Sequence, residues 1–517
     1  MSRLGVVAVL LVTAVGHLRA QQASAYEELQ AFSGVLNFIR LNYPDSVSYS
    51  KLVHAAIDGV LHALDPHSAF YSRSEFQRRN ALDRGELAVT GLALEEVDSA
   101  ITVLATAAGS PAAKAGVQPG DRLMSVNDTS VAGLTVRSVE LRLAGEKGSR
   151  VRLLFERGSR LEPDTFAVTV KRDFIRPHSV SIARMVDSTT AYVRLEEFGA
   201  DAAKEVHDAL GRLKGRHMRR AILDLRGNPG GYVISAVDLA SEFFIRGTVV
   251  FQTRGRKRDV DTTYTTKRDG PYMGLPLVVL IDENSASAAE AFAASLQDHD
   301  RALLLGRRSF GKALMQLDFV VMPMGDDLHL TVGYVLSPSG RFIQRRYRGL
   351  AVEQYLAFAG KSGAEADTMR TYHTDVGRLV RGGGGIVPDV ALPKPVSLPV
   401  WWSVAADSGF DDAVSDSVAL TLPATPAARV AWLTASDQWR SALLEPFLAR
   451  VRARLKIAAH TDSALEARLA IMLAARAAAV RWGVDAGEEF ALSNSAAIRL
   501  AVSYFIRLPE LLARQAQ

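Results

Sequence analysis

The stretch from Leu275 to Gln316 carries a serine and a lysine in settings that suit acyl-transfer chemistry. The apolar run ending at Ile281 is short and bounded by turn residues, which predicts a buried strand. Asp282 to Ser285 makes a polar turn, and Ser287 to Gln297 has the composition of a helix. A small-residue turn between strand and helix exposes a nucleophile, here Ser287. The amide that follows, on Ala288, lies at the helix N-terminus, where negative charge is stabilised. A serine hydroxyl needs a base near neutral pH, and His299 is the only histidine close in sequence. A lysine serves as well if burial holds its amine neutral. Lys312 follows a second apolar strand, Ala302 to Leu305, and lies between Phe310-Gly311 and Ala313-Leu314-Met315, which could desolvate it. Gln316, one short step further on, could hydrogen-bond the amine and orient it.

These residues need a scaffold, and the chain alternates strands and helices from Thr189 onward. Ala191 to Leu195 reads as a strand, Asp201 to Leu213 as a helix and Ala221 to Leu225 as a buried strand. That order implies layered α/β architecture with partly parallel strands. The loop Asp224-Leu-Arg-Gly-Asn-Pro-Gly-Gly-Tyr232 permits close backbone approach to a ligand. It lacks the Gly-Lys-Ser/Thr that would complete a phosphate loop. Leu328 to Leu336 and Arg341 to Arg345 read as further strands. Residues 27–80 read as helices, with Leu29, Phe32, Val35, Leu36 and Ile39 at helical spacing, then Val53, Ala56, Ile57, Val60, Leu61 and Leu64. The second helix stops at Asp65-Pro66. Residues 400–517 read as a helical extension: Leu444, Leu448, Val451 and Leu455 share a face, as do Leu465, Leu469 and Met472. That extension would pack on the core or on another subunit, the second giving a homo-oligomer.

A chain of 517 residues is too long for one core, and roughly three domains is the expectation. Its 48% hydrophobic and 23% charged content is ordinary for a globular protein. The net charge of +5 is small. The two basic clusters, Arg254 to Arg258 and Arg345 to Arg348, lack aromatic interleaving and read as solvated loops, so no nucleic-acid partner is expected. Arg3 followed by apolar Leu4 to Val15 and small residues has the form of a secretory signal, with cleavage after Ala20 or Ala25. The run is short for a membrane span, and a periplasmic or other extracytoplasmic address follows. There is no cysteine, hence no disulfide. No His/Asp/Glu grouping has ligand spacing, so neither a metal nor an organic cofactor is expected.

Two segments, Ser-Ala-Ser-Ala-Ala-Glu (285–290) and Gly-Lys-Ala-Leu-Met-Gln (311–316), resemble the signatures of the C-terminal processing peptidases, the S41 serine proteases with a Ser/Lys dyad. The resemblance implies Ser287 as nucleophile, Lys312 as general base and Gln316 as the assisting residue. Ala289 and Ala313 depart from the family's usual serine and glycine, and neither change removes a reactive group. The Asp224–Tyr232 loop then becomes the source of an oxyanion-hole amide, Gly230 first and Gly231 next, partnered by Ala288. Gly109 to Asn127, with its short helix, stop glycine Gly116 and Gln118-Pro-Gly-Asp121 turn, resembles a PDZ domain. Such domains add a peptide as a strand and hold its C-terminal carboxylate in a backbone nest. That places the nest at Thr90, Gly91, Leu92 and Ala93, with 136–143 as the helix beside the groove. Leu64 to Tyr71 and Gly382 to Asp389 resemble the family's segments before the PDZ domain and at the end of the catalytic domain.

The resemblance implies, within the α/β class, a PDZ domain and a crotonase-like or ClpP-like serine protease core, to which the helical spacings add N-terminal helices and a C-terminal helical extension. The segments are a signal at 1–20, helices at 27–86, the PDZ domain at 87–172, the peptidase core at 173–392 and the extension at 400–517. The reading is a serine endopeptidase acting on proteins or peptides with free C-termini. One alternative is a non-catalytic PDZ adaptor on the same fold. Another is a hydrolase in which His67 or His299 serves Ser287.

Overall fold

The computed structural model describes residues 26–513, less 84–87, 98–99, 107–109, 119, 158–163, 175–177, 322–324, 351–354 and 356–369. The signal segment at 1–20 lies outside the described residues, as do Gly109 and Pro119 of the PDZ-like motif. The chain parts into two compact units. One takes in residues up to Arg73 with Gln316–Thr331 and Tyr347–Tyr355; the other takes in Ser74–Met315, Val332–Arg346 and Leu356–Gln517.

In the first unit a helix runs over 26–42 and a second, α1, over Tyr49–Leu64. Ser48 caps α1 by accepting from the Lys51 amide at 3.3 Å. The helix ends before Pro66, as its sequence requires. Leu29, Phe32 and Val35 are exposed, so this apolar stripe at helical spacing is uncovered among the described residues. One segment expected to be helical is not. Ala69–Tyr71 is a strand, antiparallel to residues 327–329. The Asp65 carboxylate accepts from the amides of His67 and Ser68, both at 2.8 Å, and this Asx-type turn reverses the chain out of the helix.

In the second unit, strands Leu92–Val97, Ala100–Thr106, Arg122–Val126, Arg150–Arg157 and Asp164–Lys171 form the PDZ sheet. Alternate residues such as Val151, Leu153 and Phe155 point into one core with Ile101, Val103, Leu123 and Val139. The short helix Pro111–Lys114 begins at Ser110, whose Oγ accepts from the Ala113 amide at 3.2 Å. Helix α2, Val136–Leu143, lies beside strand Leu92–Val97, as expected of a groove helix. Arg172 Nε closes its C-terminus by donating to the Leu143 carbonyl at 2.6 Å.

The peptidase region is built on a six-stranded sheet. Its strands are β1 Val180–Met185, β2 Thr190–Leu195, β3 Arg220–Asp224, β4 Leu277–Ile281, β5 Leu303–Gly306 and β6 Val390–Ala391. The order is β6-β5-β4-β3-β2-β1, parallel throughout except for β1 against β2. Helices α3 Ala202–Lys214, α4 Val233–Ala240 and α5 Ala288–Asp298 belong to this region. Leu277, Val279 and Ile281 share a core with Val206, Leu210, Leu239 and Phe292 of those helices. Val278, Leu280, Leu303 and Leu305 point the other way, where Ile498, Ala501, Phe505 and Leu508 of the C-terminal extension cover them. Burial on both faces is why β4 reads as an unbroken apolar run.

The remaining extension helices close over a core of their own, including Trp402, Trp432, Trp439, Phe447, Leu469 and Phe490. Leu444, Leu448, Val451, Leu465 and Leu469 are all buried within the chain. Two local expectations fail. Residues 341–345 form no strand, only a single bridge from Phe342 to Leu336. Their polar side chains are instead drawn inward: Arg341 is fully buried and ion-paired with Asp298, and Gln344 Oε1 accepts from the Ala313 amide at 2.6 Å. Arg345 is not solvated. It is 6% exposed, with its guanidinium 3.6 Å over the Phe310 ring. Among the described residues no helix is long and apolar enough to cross a membrane.

Candidate active site

Three loops leave the C-terminal ends of the neighbouring parallel strands β3, β4 and β5, the place where open α/β sheets bind ligands. They carry Gly230 and Gly231, Ser287, and Lys312 respectively. Backbone and side-chain bonds stitch them together. The Asp282 carboxylate accepts from the Gly227 amide at 2.8 Å, and Ser285 Oγ donates to the Leu225 carbonyl at 2.7 Å. The Ala286 amide donates to the Asn228 carbonyl, and the Phe310 amide to the Ser285 carbonyl, both at 2.9 Å.

Ser287 caps α5 with φ 56° and ψ −116°, a conformation that costs a β-carbon residue about 1–3 kcal/mol. The strain is held by what surrounds it. Gly230 packs so closely that a β-carbon there would lie 2.7 Å from the Ala286 carbonyl oxygen and 2.8 Å from Ser287 Cβ. Only glycine fits. Ser287 is partly exposed, whereas Ala288 and Ala289 behind it are buried.

The residue that joins serine loop to lysine loop is Glu290, on the first turn of α5 and 0% exposed. Its Oε2 accepts from the Ser287 amide at 3.0 Å and from the Lys312 amide at 2.8 Å. Its Oε1 accepts from the Gly311 amide at 2.6 Å and from Ser309 Oγ. Burial pushes this carboxyl up to about 7, while the four donors favour its ionised form. Sequence reading quoted Glu290 only as part of a motif. Its role depends on two loops meeting, which spacing alone does not reveal.

Lys312 is half-buried, flanked by buried Gly311, Ala313 and Leu314. Withdrawal from water lowers its pKa below lysine's ordinary value, and the Glu290 carboxylate pulls in the opposite direction. The glycine-rich segment 382–385 backs this loop. A β-carbon on Gly385 would fall 2.3 Å from the Ser309 carbonyl oxygen, and the Ile386 amide donates to Ser309 Oγ at 2.6 Å.

The β3 loop rests on a buried strut. Asp224 Oδ2 accepts from Tyr192 Oη at 2.8 Å, and Arg226 Nη2 donates to the same oxygen at 2.5 Å. Asn228, fully buried, donates to the Leu195 carbonyl at 2.8 Å and accepts the Gly230 amide at 2.9 Å. The Gly230 amide expected to meet an oxyanion is therefore engaged. The exposed Gly231 amide donates to no acceptor among the described residues, and Ala288 supplies the first amide of α5.

The other sequence candidates fall as follows. Gln316 belongs to the first unit, where its Nε2 donates to Thr331 Oγ1 at 3.0 Å. His67, also there, places Nε2 3.1 Å from Tyr355 Oη. His299 stands at the opposite end of α5 from Ser287, about 18 Å along the helix axis. Its ring nitrogens meet Asp375 at 2.7 Å and the Val249 carbonyl at 2.8 Å. Thr90 is buried and its carbonyl accepts from the Ala112 amide at 2.9 Å. Gly91 has φ 84°, and Leu92 and Ala93 open the strand beside α2.

Residues 189–353 match the profile of peptidase family S41, and residues 102–157 that of the PDZ domain. The chain is 30% identical over 341 residues to a carboxy-terminal-processing protease of Bartonella bacilliformis, covering 65% of this chain and 77% of that protein. It is 30% identical over 309 residues to the carboxy-terminal processing protease CtpA of Bacillus subtilis, covering 60% of this chain and 65% of that one, just under two thirds of its length. Among solved structures, a photosystem II D1 C-terminal processing protease is 24% identical with a TM-score of 0.42, covering 71% of this chain and 89% of that one.

Proposed function

Because this chain belongs to peptidase family S41, the family of the carboxy-terminal-processing proteases, and is a serine protease, we propose that it is exported and cleaves proteins or peptides near their C-termini with a Ser287/Lys312 dyad. The observation that carries the proposal is the Glu290 clamp, which ties the backbone of Ser287 and that of Lys312 to one buried carboxylate.

In this reading Ser287 Oγ attacks the scissile carbonyl carbon as Lys312 Nζ, neutral beforehand, takes the hydroxyl proton. The tetrahedral oxyanion accepts from the amides of Ala288 and Gly231, the second in place of Gly230, whose amide Asn228 already holds. Collapse of the intermediate expels the amine, which takes the proton from the Lys312 ammonium. Water, deprotonated by the now neutral Lys312 amine, then attacks the acyl-enzyme carbonyl, and Ser287 Oγ leaves with the proton that Lys312 returns, freeing the new carboxylate. The resemblance gives Gln316 the assisting role beside this dyad. The PDZ domain selects substrate by its C-terminal carboxylate at Thr90 to Ala93, with the peptide added beside α2. The Arg3 to Ala20 pattern supports export.

The test compares wild type, Ser287→Ala and Lys312→Ala on an unstructured polypeptide with a free C-terminus. Both variants are expected to bind it and leave it intact. Cleavage by Ser287→Ala would sink the nucleophile assignment. Turnover by Lys312→Ala would return the base to a histidine. A wild-type protein that binds without cutting would be an adaptor.

A further inference from the structure

We infer that the helix over 26–42 is an interface for a second copy of this chain, which pairs with it antiparallel. The helix belongs wholly to the first unit and stands bare there. Of residues 26–42 only Leu36 is half-buried, and every other one is exposed. Leu29 is 67% exposed and Phe32 47%. A lone helix of this length is marginal in water, and Gly34 at its middle weakens it further. Such a helix is held chiefly by pressing an apolar face on a partner.

The spacing says what kind of partner fits. Leu29, Phe32, Leu36, Ile39 and Tyr43 step by three, four, three and four residues, the heptad seam by which one helix packs into another. A lipid surface would ask for a basic polar face, and this helix carries two acids to one arginine. The charges then say which helix. Glu27 and Glu28 sit at the N-terminal end, and Arg40 near the C-terminal end, its guanidinium 4.7 Å over the Tyr49 ring. A copy laid parallel sets acid beside acid. A copy laid antiparallel sets the acidic end of each helix beside the basic end of the other and opposes their dipoles. In that register Leu29 faces Ile39 of the other copy, Phe32 faces Leu36, and Glu28 comes level with Arg40. The pair closes on a two-fold axis, so it stops at two copies. Its apolar side chains offer on the order of 400 Å² per copy. That is about the apolar half of the ~800 Å² per partner in a standard interface. Two copies joined there carry two PDZ domains and two peptidase sites in one particle.

The experiment is sedimentation of the full protein from about 1 to about 100 μM, which should show a monomer–dimer equilibrium. Phe32→Glu acts twice across the axis and should weaken the dimer at least about a hundredfold. The Phe32 side chain is exposed in the single chain, so the fold should survive. Gly34→Ala should tighten the dimer about tenfold, because a β-carbon there meets nothing and the helix gains in both copies. The chain has no cysteine, so introduced ones report the pairing cleanly. Under mild oxidation Leu29→Cys mixed with Ile39→Cys should crosslink, and neither should crosslink to itself. A protein that stays monomeric over the whole range overturns the inference, whatever covers the seam instead. A dimer that Phe32→Glu leaves intact does so too, since its contact then lies elsewhere, as in the C-terminal extension. Crosslinking of Leu29→Cys to itself overturns the antiparallel arrangement.

Discussion

Glu290 holds two loops by four donors on two oxygens, so its replacement by glutamine is informative. Glutamine keeps the shape but turns an NH2 toward one pair of donors. The variant should lose about 1–3 kcal/mol of stability, measured by urea unfolding. It should also lose at least about tenfold in kcat/KM, because Ser287 and Lys312 lose their common anchor. The pH dependence follows from the sign of the shift. Burial raises Glu290 from 4.5 to about 7, so the folded state holds a proton that the unfolded chain releases between those values. The stability Glu290 contributes is fully present below about 4.5 and is lost as pH rises through about 7, a slope the glutamine variant should lack. A Glu290→Gln protein with wild-type stability and rate would remove the clamp from the account. The proposed nucleophile and base can be named from sequence because each sits in a short local motif. That Asn228 holds the Gly230 amide is seen only once the loop is folded.

The elements show the same limit on a larger scale. The unbroken run Leu277 to Ile281 implied cover on both sheet faces, and the structure provides it. What covers the second face was not legible, since Ile498, Phe505 and Leu508 follow β4 by some two hundred residues and carry no pairing signal. Phe505→Ala should remove an aromatic wedge from that face and cost about 3–5 kcal/mol in urea unfolding. Activity per folded molecule should be unchanged, because the active-site loops depend on the opposite core. An unaltered unfolding midpoint would mean that the extension does not brace the sheet. Arg345 was misread for a related reason. A cation is expected in water unless a ring encloses it, and Phe310 lies 35 residues before Arg345 (345 − 310), outside any local window.

For the whole molecule, the proposal joins a peptide-capturing domain to a cutting site on one chain. If the PDZ groove beside α2 holds the substrate's carboxylate, amidating the C-terminus should raise KM about tenfold or more and leave kcat nearly unchanged. Equal KM for acid and amide would rule out carboxylate capture. In the proposal, turnover depends on a lysine that must be neutral to act. Lysine in water has a pKa of about 10.4, and withdrawal of Lys312 from water lowers it. The neutral fraction therefore grows as pH rises through that lowered value. Arginine at the same place stays protonated and cannot take the serine proton. The most direct measurement is kcat/KM against pH on one unstructured peptide, for wild type and Lys312→Arg. The account predicts a wild-type rate that climbs with pH and then levels, and an arginine variant at least about a hundredfold slower at every pH. An arginine variant with the wild-type rate and profile would contradict it.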